Sequence, residues 1–303
     1  MRWIVTGSTG QLGQCLVRQL ERDPTVERVL PCTRADLDLA NSDGVAASIE
    51  NWKLSEDDVV ANAAAYTAVD ACETDGAAAT AANANGPEQL ARACARSGAR
   101  FVHVSTDYVF DGSASEPYRE DHPTAPTTAY GSTKLDGERR VLAADPAALI
   151  IRTSWVFGPG KNFVGAILRQ AGLRRSGEIE GPLRVVDDQR GCPTYADDLA
   201  AGLRGLVASG ATGLVHLSNA QPITWWDFAR AILDETGHSD LEILRGRTED
   251  LGLPAPRPAY SVLDCSRAAG FGVALRPWRE ALVDYLASPD SPAHPNTAPA
   301  ETR

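Results

Sequence analysis

Strand and helix patterns alternate over the first 155 residues of this chain, and the alternation begins with a glycine loop between the first strand and the first helix. Residues 2–6 read as a buried strand, Gly7-Ser8-Thr9-Gly10-Gln11-Leu12-Gly13 follows, and a helix runs on to about Arg22. Further strands are expected at 29–32, 57–61, 100–104 and 148–152, with an Ala-rich helix over 76–97 and another over 128–144. Strands separated by helices pair in parallel through right-handed crossovers. The pattern therefore predicts an α/β fold: a doubly wound parallel sheet with helices on both faces, Rossmann-like in kind.

After Gly158 the alternation loosens. Helical patterns at 161–172, 194–208 and 224–236 mix with strand-like pieces at 183–186, 214–217 and 241–244. The expected organisation is a dinucleotide-binding domain over 1–157, with pieces near 187–217 returning to it. A smaller C-terminal α/β substrate lobe takes most of 158–287. The Pro-rich stretch 254–259 reads as stiff and extended, and 288–303 as a disordered tail.

The glycine spacing is G-x-x-G-x-x-G, related to the dinucleotide fingerprint but not identical to it. Glycines at such a junction let backbone N–H groups approach a pyrophosphate at a helix N-terminus, so Gly7, Gly10 and Gly13 point to dinucleotide binding. At the end of the second strand stands Cys32-Thr33-Arg34. Arg34 can accommodate a ribose 2′-phosphate, which favours NADPH and leaves NADH open.

Charge narrows the partners. A net charge of −11 argues against general affinity for nucleic acid or an anionic membrane. The six cysteines are scattered without metal-ligand spacing, as in a reducing, cytoplasmic setting. No signal peptide precedes the first strand, and no apolar run is long enough to span a bilayer.

Tyr130-Gly131-Ser132-Thr133-Lys134 puts a phenol and an ammonium four residues apart in a helical segment, on one face. The chain has only three lysines, Lys53, Lys134 and Lys161, so this placement stands out. A cation beside a tyrosine favours the phenolate and fits it for proton transfer, although a Tyr and a Lys four apart are usually just a solvated helix face.

Six ordered blocks carry a family resemblance: Gly7 to Gly13, Asn62 to Asp70, Val104-Ser-Thr-Asp-Tyr-Val-Phe-Asp-Gly112, Tyr130 to Lys134, Arg152-Thr-Ser-Trp-Val-Phe157 and Asp188-Gln-Arg-Gly-Cys-Pro-Thr194. With these the chain, from residue 1 to about 287, resembles the extended short-chain dehydrogenase/reductases, and within them the dTDP-4-dehydrorhamnose reductase family. The resemblance implies that Gly10, Gln11 and Leu12 line the cofactor pyrophosphate and that Asp38 and Leu39 sit by the adenine. It implies Ala65, Tyr66 and Thr67 at the ribose and nicotinamide, Tyr130 as proton donor, and Lys134 holding the nicotinamide ribose while lowering the Tyr130 pKa. Thr106 takes the place of the catalytic Ser/Thr with Asp107 beside it, and Tyr108 and Trp155 face the sugar.

Plainer readings stand beside these. Thr106 can cap a strand end, Asp107 can form a turn, and Trp155 can be core. His103 reads as packed within its strand. Asp187-Asp188 reads as a loop turn rather than a metal pair. Arg257 reads either as a contact to the substrate diphosphate or as a surface charge. Some members of the family carry an acid early in the first helix that helps hold magnesium at a dimer contact. Here that stretch is Gly13-Gln14-Cys15-Leu16, so no metal and no metal-bridged dimer are expected, and the chain is expected to be a monomer or weak homodimer. The implied function is NAD(P)H-dependent reduction of a dTDP-4-keto-6-deoxy sugar. Alternatives are a related reductase of an antibiotic deoxysugar or streptose-type pathway, and a non-catalytic subunit like the regulatory β-subunit of methionine adenosyltransferase.

Overall fold

The computed structural model describes residues 1–294. The chain opens with β1 (Arg2–Thr6), α1 (Gln11–Glu21), β2 (Arg28–Cys32), α2 (Ser42–Trp52) and β3 (Asp58–Asn62). The short helices α3 (Val69–Cys72) and α4 (Gly76–Thr80) lead through a π-helical turn to α5 (Gly86–Ser97), then β4 (Arg100–Thr106), α6 (Ala129–Ala144) and β5 (Leu149–Thr153). Then come β6 (Val156–Phe157), α7 (Phe163–Arg175), β7 (Leu183–Val186), β8 (Arg190–Gly191), β9 (Thr194–Tyr195) and α8 (Ala196–Ala208). The chain continues with β10 (Gly213–His216), β11 (Ile223–Thr224), α9 (Trp225–Glu235), β12 (Ile243–Gly246), α10 (Ser266–Gly270) and α11 (Trp278–Ala287).

The main sheet runs β10-β5-β4-β3-β1-β2, parallel throughout. Successive strand residues point to opposite faces and helices cover both faces, which is why the strand centres carry continuous apolar runs rather than alternating ones. Val5, Val59 and Ile151 pack under α1 and α8, while their neighbours Ile4, Val60 and Ile150 pack under α5 and α6. The chain adds β2 on one side of β1 and β3 on the other. That reversal opens a crevice at the C-terminal strand ends, where open α/β sheets bind ligands. A separate core of Val164, Ile167, Phe228, Ile232, Leu282 and Tyr285 joins α7, α9 and α11. From the later part of the chain, α8 and β10 lie with the main sheet, and the ion pair Arg204–Asp23 ties α8 to the end of α1.

Several elements differ from the sequence reading. The expected helix over 76–97 is interrupted at Ala81–Asn85 by the π-helical turn, which aims Asn83 inward. β4 runs two residues past the expected 104, because Thr106 still pairs with Thr153 of β5. α2 was not expected: only Val45 and Trp52 are buried on it, too few to give a periodic signal. α11 was not expected either, although its buried Trp278, Ala281, Leu282 and Tyr285 have the 3–4 spacing of a helix. The expected disordered tail is corrected at its start. Asp290 pairs with Arg18 of α1 at 2.6 Å and Ser291 is fully buried, so 288–294 folds back onto the domain. The remainder of that expectation, 295–303, lies outside the described residues. No helix among the described residues is long and apolar enough to cross a membrane.

Candidate active site

A cleft of about 810 Å³ crosses the C-terminal ends of β1, β3, β4 and β5. Its floor at β1 is the glycine loop. Gly7 has φ +67°, and a Cβ on Gly13 would lie 2.1 Å from the Gly7 carbonyl oxygen, so no larger residue fits beneath the turn. Gly13 thus lies under the loop, whereas Gly7, Gly10, Gln11 and Leu12 line the cleft. Gly10 is the N-cap of α1 with no side chain capping it, and α1 has no acid in its first turn. Its first N–H groups face a space suited to a pyrophosphate. Further along, Arg34, Asp38 and Leu39 line the same cleft. Arg34 is 82% exposed and meets Asp38 at 3.5 Å, so its guanidinium is free to turn toward a phosphate.

Ala65, Tyr66 and Thr67 form the wall after β3. They are held by Asn83, whose carboxamide accepts from Tyr66 N–H at 2.8 Å and donates to Tyr66 O and to Thr133 Oγ1, each at 3.1 Å. This clamp from the π-helical turn to α6 is absent from the sequence reading. An Asn in an Ala-rich run gives no signal beyond the Asn-Gly that follows it.

Helix α6 begins where Thr128 accepts from Gly131 N–H at 2.9 Å. A Cβ on Gly131 would come within 2.1 Å of the Tyr108 carbonyl, so this glycine lets the helix press against the turn after β4. Tyr130 and Lys134 both line the cleft, and both are buried. Lys134 Nζ donates to Val104 O at 2.7 Å and meets His103 Nε2 at 3.2 Å. Burial pushes the Lys134 amine down to about 8, opposed by the charge of Glu138. Burial likewise pushes the Tyr130 phenol up, with Thr106 pulling the other way, so the tyrosine in this structure is a firmly protonated acid.

Thr106 is the last residue of β4, and its hydroxyl donates to Asp107 Oδ1 at 2.9 Å while accepting from Tyr108 N–H at 3.3 Å. Burial pushes Asp107 up to about 6, and its Oδ2 has no partner. Tyr108 packs edge-on against Tyr130 at 5.5 Å between centroids.

At the far end of the cleft Trp155 adopts φ +48°, an uncommon conformation for a bulky residue and one that clusters at functional sites. Its carbonyl accepts from Thr194 N–H at 3.1 Å, which fixes the turn. Its ring stacks on Trp225 at 3.6 Å, tilted by 6°. Trp225 and Gln189 also line the cleft, and the indole donates to Gln189 Oε1 at 3.1 Å. Neither was expected: Trp225 lies outside the six recognisable blocks, and Gln189, inside the last of them, was not singled out within it. Arg257 does not line the cleft. Its guanidinium is committed to Asp70 at 2.6 Å and to Ala255 O at 2.8 Å, and that pair fixes the Pro-rich segment. Asp187 bonds Arg245 and Thr224, and Asp188 bonds Thr248. No group of three potential metal ligands occurs among the described residues.

The family model described as the RmlD substrate binding domain matches residues 1–290. The chain is 42% identical over 303 residues to a Streptomyces antibioticus protein named probable dTDP-4,6-dihydroxy-2-methyloxan-3-one 4-ketoreductase, covering 98% of each. It is also 42% identical over 296 residues to the dTDP-4-dehydrorhamnose reductase of Mycobacterium tuberculosis (strain ATCC 25618 / H37Rv), covering 95% of this chain and 93% of that one. The crystal structure of dTDP-4-dehydrorhamnose reductase from Bacillus anthracis str. Ames in complex with NADP matches with a TM-score of 0.82 at 32% identity, covering 94% of this chain and 98% of that one.

Proposed function

Since this chain belongs to the RmlD substrate binding domain family, we propose that it is an NADPH-dependent oxidoreductase that reduces the C4 ketone of dTDP-4-dehydro-L-rhamnose to dTDP-L-rhamnose. One observation carries the reading: Tyr130, Lys134 and Thr106 converge on a cleft whose other end is the glycine cradle of β1. Gly10, Gln11 and Leu12 would hold the pyrophosphate of NADPH, Arg34 its 2′-phosphate, and Lys134 its nicotinamide ribose. When bound, NADPH supplies the hydride.

The side chains supply the proton and the geometry. Tyr130, protonated and buried, is the acid for the C4 oxygen. Thr106 stabilises the same oxygen once its hydroxyl turns from Asp107, whose carboxyl gives up that bond as the substrate oxygen takes it. Lys134, when charged, draws the Tyr130 equilibrium toward the phenolate and makes the proton easier to give up. Trp155 and Trp225 form a flat aromatic face for the sugar or its base. A reducing, cytoplasmic setting suits six cysteines that are all unpaired.

A second reading has a specific observation behind it. The Streptomyces antibioticus 4-ketoreductase is as similar as the mycobacterial reductase, so a related keto sugar of a deoxysugar pathway is the alternative substrate. Following NADPH absorbance with enzymatically made dTDP-4-dehydro-L-rhamnose and with other dTDP-4-keto sugars separates the two. Oxidation with the first supports the proposal, and oxidation only with the others moves the assignment. Nucleotide binding with no oxidation by any of them points to a non-catalytic subunit. Tyr130→Phe should lower kcat by about 10²–10⁴-fold with NADPH affinity kept; near-normal turnover would remove Tyr130 from the acid role.

A further inference from the structure

Thr6, Asn62 and His103 are register partners across three adjacent strands, β1, β3 and β4. Their side chains lie on one face and touch in sequence. Thr6 Oγ1 donates to Asn62 Oδ1 at 2.6 Å, and Asn62 Nδ2 meets His103 Nδ1 at 2.9 Å. All three are buried, and the chain ends on Lys134 Nζ, 3.2 Å from His103 Nε2.

The polarity of this chain is fixed at one end. Ala64 N–H donates to Asn62 Oδ1 at 3.2 Å, and a backbone N–H cannot become an acceptor. Flipping the Asn62 amide would set its NH₂ against that N–H. Asn62 Nδ2 therefore faces His103 and must donate, so His103 Nδ1 accepts. Burial and the neighbouring lysine hold the imidazole neutral, which leaves its single proton on Nε2. That N–H points at Lys134. An amine accepts such a bond through its lone pair, whereas an ammonium would meet it donor to donor.

We propose that Thr6, Asn62 and His103 form a polarity-fixed chain that presents an N–H to Lys134 and thereby sets the protonation equilibrium of that amine, making His103 a positioning residue for the reaction. The consequence for catalysis rests on the reading of Lys134 given above; the effect on its protonation does not. Glu138 on its own helix is the titratable group that acts on Lys134, and Tyr130, Asp107 and Tyr108 line the same cleft. Arg152 of β5 holds Glu138, and Cys72 of α3 lies behind Tyr130. Among these Glu138 favours the charged lysine, and burial works against it.

The test reverses the polarity without changing shape. In Asn62→Asp a carboxylate still accepts from Thr6 and Ala64, but it now also accepts from His103 Nδ1–H. The imidazole proton moves to Nδ1, and Nε2 becomes an acceptor for the Lys134 ammonium. With only three lysines, of which Lys53 and Lys161 are exposed, the Lys134 titration can be read directly by NMR of isotope-labelled lysine, without turnover. Asn62→Asp should raise the Lys134 midpoint by more than about one pH unit. In a His103→Leu background the same substitution should move it by less than about half as much, since only the through-space charge remains. His103→Gln, which keeps the donor polarity, should stay within about half a unit of the parent and covers the case in which Asn62→Asp does not fold. An equal shift with and without His103, no shift, or a full-unit rise in His103→Gln overturns the proposal. In the reductase assay the alkaline limb of kcat should move up with the Lys134 midpoint; an NMR shift without any turnover would count against the reductase reading alone.

Discussion

Removing Arg152 should loosen the helix that carries the reaction centre. Tyr130, Lys134 and Glu138 stand four residues apart on one face of α6, and Glu138 ties that face to β5. Arg152 donates through Nε to Glu138 Oε1 at 2.8 Å and through Nη2 to Oε2 at 2.6 Å, and both side chains are 2% exposed. Ser105 adds a bond to Oε1 at 2.5 Å. In Arg152→Leu the carboxylate keeps only the serine. Stranding one partner of a buried pair costs about 3–5 kcal/mol, because the remaining charge has neither water nor counter-ion. For a chain of this size that corresponds to a fall in Tm of about 5–8 °C. The double variant Glu138→Leu/Arg152→Leu removes the stranded charge and should recover most of the loss, as apolar replacement of a buried pair is often close to neutral. Denaturant melts of parent, both single variants and the double variant give the coupling energy directly. A loss below about 1 kcal/mol in Arg152→Leu, or a double variant no better than the single, refutes the reasoning.

Gly13→Ala brings a Cβ to 2.1 Å from Gly7 O, so the loop must retreat by about 1 Å; NADPH affinity should fall at least about tenfold in a fluorescence titration while the melting curve keeps its shape. Two buried groups give opposite pH slopes in stability. Asp107, raised from 3.8 to about 6, binds its proton more tightly when folded, so its contribution is lost as pH rises through that window, and Asp107→Asn should flatten the fall. Lys134, lowered from 10.5 to about 8, binds its proton less tightly when folded, so stability gains as pH rises from about 8 toward 10.5, and Lys134→Met should abolish the gain. Trp225→Ala removes the face on which Trp155 stacks and should raise the sugar KM about tenfold with NADPH affinity unchanged; an unchanged KM would take the tryptophan pair out of substrate binding.

What could be read from the chain was local. The doubly wound sheet follows from short apolar segments spaced by helices, and the glycine loop and the Tyr130–Lys134 spacing each lie within seven residues. Hydrophobic period, turn chemistry and helix pitch act over that range, so a single sequence displays them. Tertiary structure decided what these groups touch. Lys134 faces His103 rather than standing free beside Tyr130, because β1, β3 and β4 are neighbours and bring residues 6, 62 and 103 to one level of the sheet. Arg257, a candidate for the diphosphate, is committed to Asp70, 187 positions away. Trp225 meets Trp155 only because the second core folds over the end of the cleft. Burial then acts on both groups of the pair: it pushes the Tyr130 phenol up and the Lys134 amine down, and desolvation is a property of the packed site, not of any residue's place in the sequence.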